Sequence, residues 1–328
     1  MKIGDIDLGE KPLFLAPMED VTDPPFRRLC KQFGADMLYT EFISSEGLIR
    51  DAVKSKEKLD IYDYERPVAI QIFGANADVM AQTARIVESA NPEIIDINWG
   101  CPVKKVVAKG AGSAILRDIP KMVEVTKAVI EATGLPVTVK TRIGWDSENI
   151  VIDEVAERMQ EIGVKAMAVH GRTRVQMYKG EANWEPIIKL KQNPNLEMPI
   201  IVNGDITTPE IAKMMFDDYN LDGVMIGRPT IGNPWIFREI KHYLKTGEHH
   251  AQPTMTERVD AARNHLKWEI EWKGEVLGVR EMRRHYTNYF KGLPNIKEHR
   301  MKLVTEDNPQ IIYSHLDVIL DIYRDFFG

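Results

Sequence analysis

The sequence predicts an α/β protein, a (β/α)8 barrel followed by an all-helical domain, and three observations carry that expectation. Eight short β-rich runs alternate with helical segments within the first 245 of the 328 residues, the count and size of a TIM barrel. The first run ends Ala16-Pro17-Met18 with no glycine-rich turn behind it, which disfavours the competing doubly wound open sheet. Beyond Thr254 the strand pattern stops and only helical periodicity remains.

Each element follows from its residues. Strands are expected at 13–17 and 37–40, and the helix between them, 25–33, places Phe26, Leu29, Cys30 and Phe33 on one face. The strands at 68–74, 94–98 and 137–142 are rich in Val, Ile and Thr, β-branched side chains suited to a sheet covered on both faces. Helical periodicity fills 77–89 and 120–132. The last three strands, 166–171, 200–204 and 223–227, alternate with helices at 151–162, 184–190, 209–216 and 234–244. Thr208-Pro209 and Asn233-Pro234 each set an N-cap residue before a proline at the first helical position. Residues 245–253 are polar, contain Gly247 and Pro253, and read as a linker. Helices follow at 256–272, 278–291 and 311–326; in the last, Ile312, Leu316, Ile319, Leu320 and Tyr323 recur at helical spacing. The expected division is a catalytic barrel over 1–245 and a helical bundle over 254–328.

Bulk properties narrow the function classes. Hydrophobic residues at 44% and charged residues at 28% are ordinary for a globular chain. With 43 Lys and Arg against 49 Asp and Glu the net charge is −6, so a nucleic-acid role requires a local basic patch. No secretory signal is visible, and no apolar run nears the roughly 18 residues of a membrane span. A cytoplasmic protein with reduced thiols is expected. The two cysteines, Cys30 and Cys101, lack metal-ligand spacing and are too few for a four-thiolate cluster. No metal is expected.

In such a barrel the site lies at the carboxyl ends of the strands. Strand one ends in Pro17 and Met18, and strand three carries Gln71. Strand four gives Asn98, with Cys101 just beyond, and strand five gives Lys140 and Arg142. Strand six ends in His170 and Arg172, strand seven in Asn203, Gly204 and Asp205, strand eight in Gly227 and Arg228. Cys101 stands between Gly100 and Pro102, in a turn that presents a thiol rigidly. It is a candidate catalytic group or, on the plainer reading, a small buried hydrophobe. Lys140 must be paired or ligand-bound, because burying a lone charge is costly. Gly204 and Gly227 let backbone N–H groups approach a phosphate, and Arg228 adds a fork of donors; two ordinary glycine turns are the plainer alternative. Gln71, Lys140 and His170 suit the pyrimidine edge of a flavin, with Lys140 stabilising negative charge on the reduced ring. Met18 lies against a ring face or fills core.

The motifs together resemble the tRNA-dihydrouridine synthase family, most closely its bacterial B-type members. The matching pieces are Leu15-Ala16-Pro17-Met18 with Val21-Thr22-Asp23, Gln71-Ile72-Phe73-Gly74, and Asp96-Ile97-Asn98-Trp99-Gly100-Cys101-Pro102. They continue with Lys109-Gly110-Ala111-Gly112-Ser113-Ala114, Val139-Lys140-Thr141-Arg142, His170-Gly171-Arg172-Thr173, Asn203-Gly204-Asp205-Ile206 and Ile226-Gly227-Arg228. They stand in family order across the whole barrel. Two places depart from the pattern and adjoin the expected site: Glu19-Asp20, where small residues often follow the Met, and Trp99, where a smaller apolar residue is common.

The resemblance implies FMN, with NADPH as reductant, and reduction of the C5–C6 double bond of uridines in tRNA. The strand-end residues from Pro17 to Arg228 become FMN contacts. Cys101 takes the role of general acid for C5, and an ordinary thiol with a pKa near 8.5 is mostly protonated at neutral pH. Asn98, Arg142, Arg172 and Arg174 are implied to meet the RNA. So is Lys104, in a basic, glycine-containing loop over 103–113 that reads as a lid.

Bringing a uridine into a barrel mouth requires flipping it out, at a cost of a few kcal/mol that phosphate contacts must offset. Between Leu277 and Lys302 seven basic residues face two acidic ones. Arg280, Arg283 and Arg284 share one helix face, and the interleaved His285, Tyr286, Tyr289 and Phe290 are expected to stack on bases. A solvated helix face over core aromatics is the plainer reading. A small-molecule pyrimidine oxidoreductase on the same barrel is the runner-up, and a non-catalytic tRNA-binding protein the third reading. A monomer is expected.

Overall fold

The computed structural model describes residues 1–326, so the last two residues of the expected 254–328 region lie outside the described residues. Eight parallel strands form the barrel wall: β1 (Leu13–Leu15), β2 (Leu38–Tyr39), β3 (Val68–Phe73), β4 (Ile94–Asn98), β5 (Val137–Arg142), β6 (Met167–His170), β7 (Ile200–Asn203) and β8 (Gly223–Ile226). Ladders run unbroken from β2 through β8 to β1. The ring closes through a parallel bridge between Phe14 and Met37. All eight strands fall within two residues of their expected bounds.

The helices of the outer layer are α1 (Pro24–Gln32), α2 (Ala77–Ser89), α3 (Ile119–Ala132), α4 (Ile152–Glu161), α5 (Glu185–Gln192), α6 (Pro209–Asp217) and α7 (Ile236–Thr246). Asp23 caps α1 by accepting from the Phe26 N–H at 3.1 Å, and Thr208 caps α6 through the Ile211 N–H at 3.4 Å. Asn233 does not cap α7, contrary to expectation. The chain leaves β8 through a 3-10 turn, Arg228–Thr230, and α7 starts only at Ile236, which leaves Asn233 in the preceding loop.

Outward-facing Ile and Val of the strands pack under the helices as one core. Inside the barrel, Phe14, Tyr39, Ile94, Ile201 and Met225 form a second cluster. An antiparallel ribbon, Lys2–Ile3 with Ile6–Asp7, adds Ile3 and Leu8 to it. This fills the amino end, so the polar space is confined to the carboxyl end.

Four helices follow residue 254: α8 (Met255–Lys273), α9 (Glu275–Tyr289), α10 (Lys297–Thr305) and α11 (Pro309–Tyr323). Three were expected; α10 buries only Leu303 and so shows no apolar stripe. Thr254 and Glu257 form a reciprocal capping box at the start of α8, with bonds of 3.2 and 3.0 Å. Gly278 lets α9 lie against α8, for a Cβ there would come within 2.7 Å of the Glu269 carbonyl. The core of this region includes Leu29 of α1 and Trp235 beside α7, which joins it to the barrel.

The joint also holds a buried polar group. Lys273 Nζ lies 2.6 Å from Asp23 and 3.5 Å from Glu269, and His265 lies 3.5 Å from Glu269. Burial pushes Glu269 well above the usual carboxylate range. Burial acts the same way on Asp23, but the Lys273 charge and the Glu269 hydrogen bond outweigh it and hold Asp23 low. Phe26 of α1 packs against His265 and His285, with ring centroids 5.6 and 5.0 Å away.

Candidate active site

Alternate residues of a strand point into the barrel, and the register stacks them in tiers. Gln71 pairs with Asp96 and Asp96 with Thr138. One pleat higher Asn98 pairs with Lys140. At the rim Arg142 pairs with His170, and His170 with Asn203. The lower tier is a hydrogen-bonded base for the upper one. Asp96 accepts from Thr138 Oγ1 at 2.5 Å and from Gln71 Nε2 at 2.6 Å, and Gln71 Oε1 accepts from Asn98 Nδ2 at 2.9 Å. Burial raises Asp96 to about 6.

Asn98 in turn fixes the cysteine turn. Its Oδ1 accepts from the N–H groups of Gly100 and Cys101 at 3.0 and 2.8 Å. From the other side the Cys101 carbonyl accepts from Ser113, through N at 3.1 Å and Oγ at 2.9 Å. The thiol is only 7% exposed and sits among Val106, Ala111, Phe42 and Phe73. Burial pushes its pKa up, against the opposing pull of the Val103 N–H and the Arg142 charge. Cys101 is therefore a protonated thiol at neutral pH. Cys30, within α1, lies fully buried in the core.

Cations crowd the opposite wall. Burial and the charge of Arg142 bring Lys140 down to about 8, and its Nζ donates to Asn203 Oδ1 at 3.1 Å. Burial, reinforced by Arg142, Lys140, Arg172 and Arg228, drives His170 well below its usual range, so it is a neutral imidazole. Arg142, lowered to about 10 by burial, donates Nε to Gly100 O at 2.7 Å and Nη1 to Thr173 O and Met177 O at 3.0 and 2.8 Å. The guanidinium lies over the Tyr178 ring at 5.6 Å, and its Nη2 has no hydrogen bond among the described residues. Asp205 accepts from Arg172 at 2.9 and 2.6 Å and from Arg228 at 3.3 Å. Burial raises Asp205, but these bonds and the Ala182 N–H hold it low. Gly204 has a φ of +108°, and a Cβ there would meet the His170 ring at 2.6 Å, so only glycine fits.

These groups line one cavity of about 1170 Å³ at the barrel mouth. Of the residues expected in the site, Pro17, Met18, Asn98, Cys101, Lys140, Arg142, His170, Asn203, Gly204, Asp205, Gly227 and Arg228 line it. Gln71 does not; it is fully buried one tier below and acts on Asn98. Arg172 does not reach it either. All five of its N–H donors are engaged, with Asp205, His170, Lys179 O and Gly180 O. Arg174 lies outside the cavity, its guanidinium over Trp145 at 4.8 Å. Lys104 is exposed outside the lining, where Lys105 and Lys109 of the same loop take its place.

Sequence reasoning missed Lys54, Ser55, Lys58 and Tyr178 of the lining. The first three belong to the connection between β2 and β3, whose unusual length was the available signal. Glu19 lines the mouth and pairs with Lys58 at 2.5 Å, and the Asp20 N–H donates to Glu41 at 2.5 Å. Burial raises Glu41 to about 7. Trp99 turns away from the cavity. It is fully buried, with its indole N–H donating to Thr126 Oγ1 of α3 at 3.0 Å.

On α9, Arg280 is exposed, Arg283 pairs with Asp307 at 2.7 Å, and Arg284 pairs with Glu281. The aromatic residues between them do not face solvent, contrary to expectation. Tyr286, Tyr289 and Phe290 are fully buried and His285 nearly so, because they form the apolar face that α9 presses onto α8 and α1.

A (β/α)8 barrel whose carboxyl end combines a cationic pocket with one protonated thiol defines a barrel enzyme built to hold an anion beside an acid. The chain belongs to the dihydrouridine synthase family, whose model matches residues 14–317. It is 42% identical over 310 residues to tRNA-dihydrouridine synthase B of Pseudomonas putida, covering 94% of this chain and 91% of that one. A probable tRNA-dihydrouridine synthase of Rickettsia bellii is 38% identical over 324 residues and covers 98% of both chains. Among solved structures, the fold is similar to morphinone reductase in complex with tetrahydroNAD, with a TM-score of 0.54, 13% identity, and coverage of 77% of this chain and 92% of that one. It is also similar to histamine dehydrogenase from Rhizobium sp. 4-9, with a TM-score of 0.56, 13% identity, and coverage of 80% and 50%. Among the described residues no helix is long and apolar enough to cross a membrane.

Proposed function

We propose that the protein reduces the C5–C6 double bond of uridines in tRNA to 5,6-dihydrouridine, with FMN as cofactor and NADPH as reductant. The single observation that carries this is the buried Cys101 thiol, kept protonated in the wall of a cation-lined barrel mouth. The residues fit FMN. Gly204 makes room that a side chain would fill, Arg228 and the backbone after β7 and β8 suit a phosphate, and Lys140 and His170 suit the polar edge of the ring. When bound, FMN supplies the hydride for C6.

The chain's own residues do the rest. Cys101 holds the proton that C5 takes up and regains one from water afterwards. Asn98, locked by Gln71 and by the turn it caps, keeps that sulfur in place and offers its amide to the base. Lys140 and the free Nη2 of Arg142 supply positive charge where the uracil carbonyls gain electron density. Neutral His170 donates or accepts a hydrogen bond without adding charge. The barrel, 1–245, is the catalytic unit, and the helical region, 254–328, carries RNA together with the rim. Arg280 is an exposed cation there; Arg283, Arg284, Arg174 and Lys104 meet phosphate once they leave their present surroundings.

The test is turnover of unmodified tRNA against free uridine by the protein loaded with FMN and NADPH. Dihydrouridine is expected in tRNA alone. Comparable reduction of free uridine would instead support a small-molecule pyrimidine oxidoreductase.

A further inference from the structure

A second cavity, of about 610 Å³, opens on the flank of the barrel between the β2–β3 connection and α2. Leu48, Leu59, Ile61 and Ile86 give it apolar walls, and Tyr62, Lys56, Asp51 and Asp60 give it one ring, one ammonium and two carboxylates. Tyr62 stacks in parallel on Tyr64, with centroids 5.3 Å apart and planes 5° apart. The Arg28 guanidinium lies over Tyr64 at 4.8 Å and over Trp268 of α8 at 4.1 Å. A column of two rings, a cation and a third ring thus runs from the cavity to the helical region. Tyr62 is 39% exposed, so the column ends open. Asp60 Oδ2 accepts from the Trp272 indole N–H at 3.3 Å, while Oδ1 has no hydrogen bond among the described residues. The exposed Lys56 pairs with Asp51 at 2.7 Å.

The flank cavity and the catalytic mouth share a wall. In and beside the short helix Val53–Glu57, Lys54, Ser55 and Lys58 face the catalytic cavity, and Lys56, Leu59 and Asp60 face the flank.

We propose that the flank cavity receives an unpaired nucleobase bearing an exocyclic amine, from the same RNA that delivers the uridine; this rests on the tRNA reading above. The base lies against Tyr62, whose ring is already backed by Tyr64 and Arg28, and its amine donates to Asp60 Oδ1. Lys56 exchanges Asp51 for the adjoining phosphate. The flank carries Asp51, Asp60 and Asp63 as exposed carboxylates. Those carboxylates suit the insertion of one base edge bearing an amine, with Lys56 beside them to meet its phosphate. A base seated there steadies the segment that carries Lys58 to the catalytic mouth.

The experiment measures the Kd of the full chain for an unmodified tRNA transcript across a salt series. Tyr62→Ala is expected to weaken binding about tenfold, the scale of one lost base–aromatic stack. The slope of log Kd against log salt should stay at the parent value, since no phosphate contact is lost. Tyr62→Phe should bind like the parent, and Asp60→Asn should weaken binding severalfold. Unchanged binding by Tyr62→Ala and Asp60→Asn overturns the proposal, as does equal weakening by Tyr62→Phe and Tyr62→Ala. A parent protein that neither binds nor modifies tRNA overturns the functional reading itself, which separates the two failures.

Discussion

In the proposed reaction Cys101 acts through its proton, and its surroundings set the pH range in which it keeps one. Burial raises the thiol above its ordinary value, so the acid form persists at neutral pH and is lost only as pH rises through that raised value. Dihydrouridine formation at saturating NADPH and tRNA should fall on the alkaline side, with the limb displaced upward from an ordinary thiol near 8.5. Cys101→Ala should abolish product while the protein stays yellow and binds tRNA; a fully active variant would remove the thiol from the reaction. This residue was legible because Gly100 and Pro102 bracket it at a strand end. Gln71 and Arg172 were read as pocket residues because two-residue alternation tells inward from outward and not high from low. The Gln71–Asp96 pairing fixes the height, and Asp205, a partner distant in sequence, saturates Arg172.

Elements were legible where an apolar period ran through them and illegible where it did not. The eight strands emerged because each is a short apolar run bounded by polar or glycine residues. α10 did not, because a helix with one buried side chain leaves no stripe. The α9 face was half read. Its arginines are outside as expected, but its aromatics are core, since a helix lying on two neighbours buries most of its girth. Among the described residues, Arg280 alone of the three arginines lacks a carboxylate pair. Arg280→Ala should therefore lower the salt slope of tRNA binding by about 0.7–0.9, one phosphate contact, as read by titration between low and moderate salt. Trp99 answers a different question. Its indole fills space between β4 and α3, so Trp99→Ala should cost about 3–5 kcal/mol, seen as a lower midpoint in urea, with the flavin spectrum of the surviving folded fraction unchanged.

At the scale of the whole molecule, the barrel and the helical region are joined through polar groups that sequence could not pair, because Asp23 and Lys273 stand at opposite ends of the chain. Burial brings His265 down to about 4 from an ordinary 6.5. The folded state then holds fewer protons than the unfolded chain between those values, so this contribution is full above 6.5 and is lost as pH falls toward 4. His285, lowered in the same direction by burial, adds to it. Glu269, raised by burial, acts with the opposite sign as pH falls, so the histidine part is read by difference: the melting temperature of the parent should fall more steeply toward pH 4 than that of His265→Phe, which keeps the stack on Phe26. A drop of unaltered steepness in that variant would place the acid sensitivity elsewhere.

Asp205 supplies the negative charge around which the rim arginines are arranged. Its carboxylate stands between the guanidiniums of Arg172 and Arg228 and already plays the part of a guest anion. In the proposed function a phosphate at the rim meets the Arg228 fork already held in position, and it competes for that fork with a resident charge of its own sign. Without that carboxylate Arg172 and Arg228 would stand side by side at the rim with no counter-charge between them.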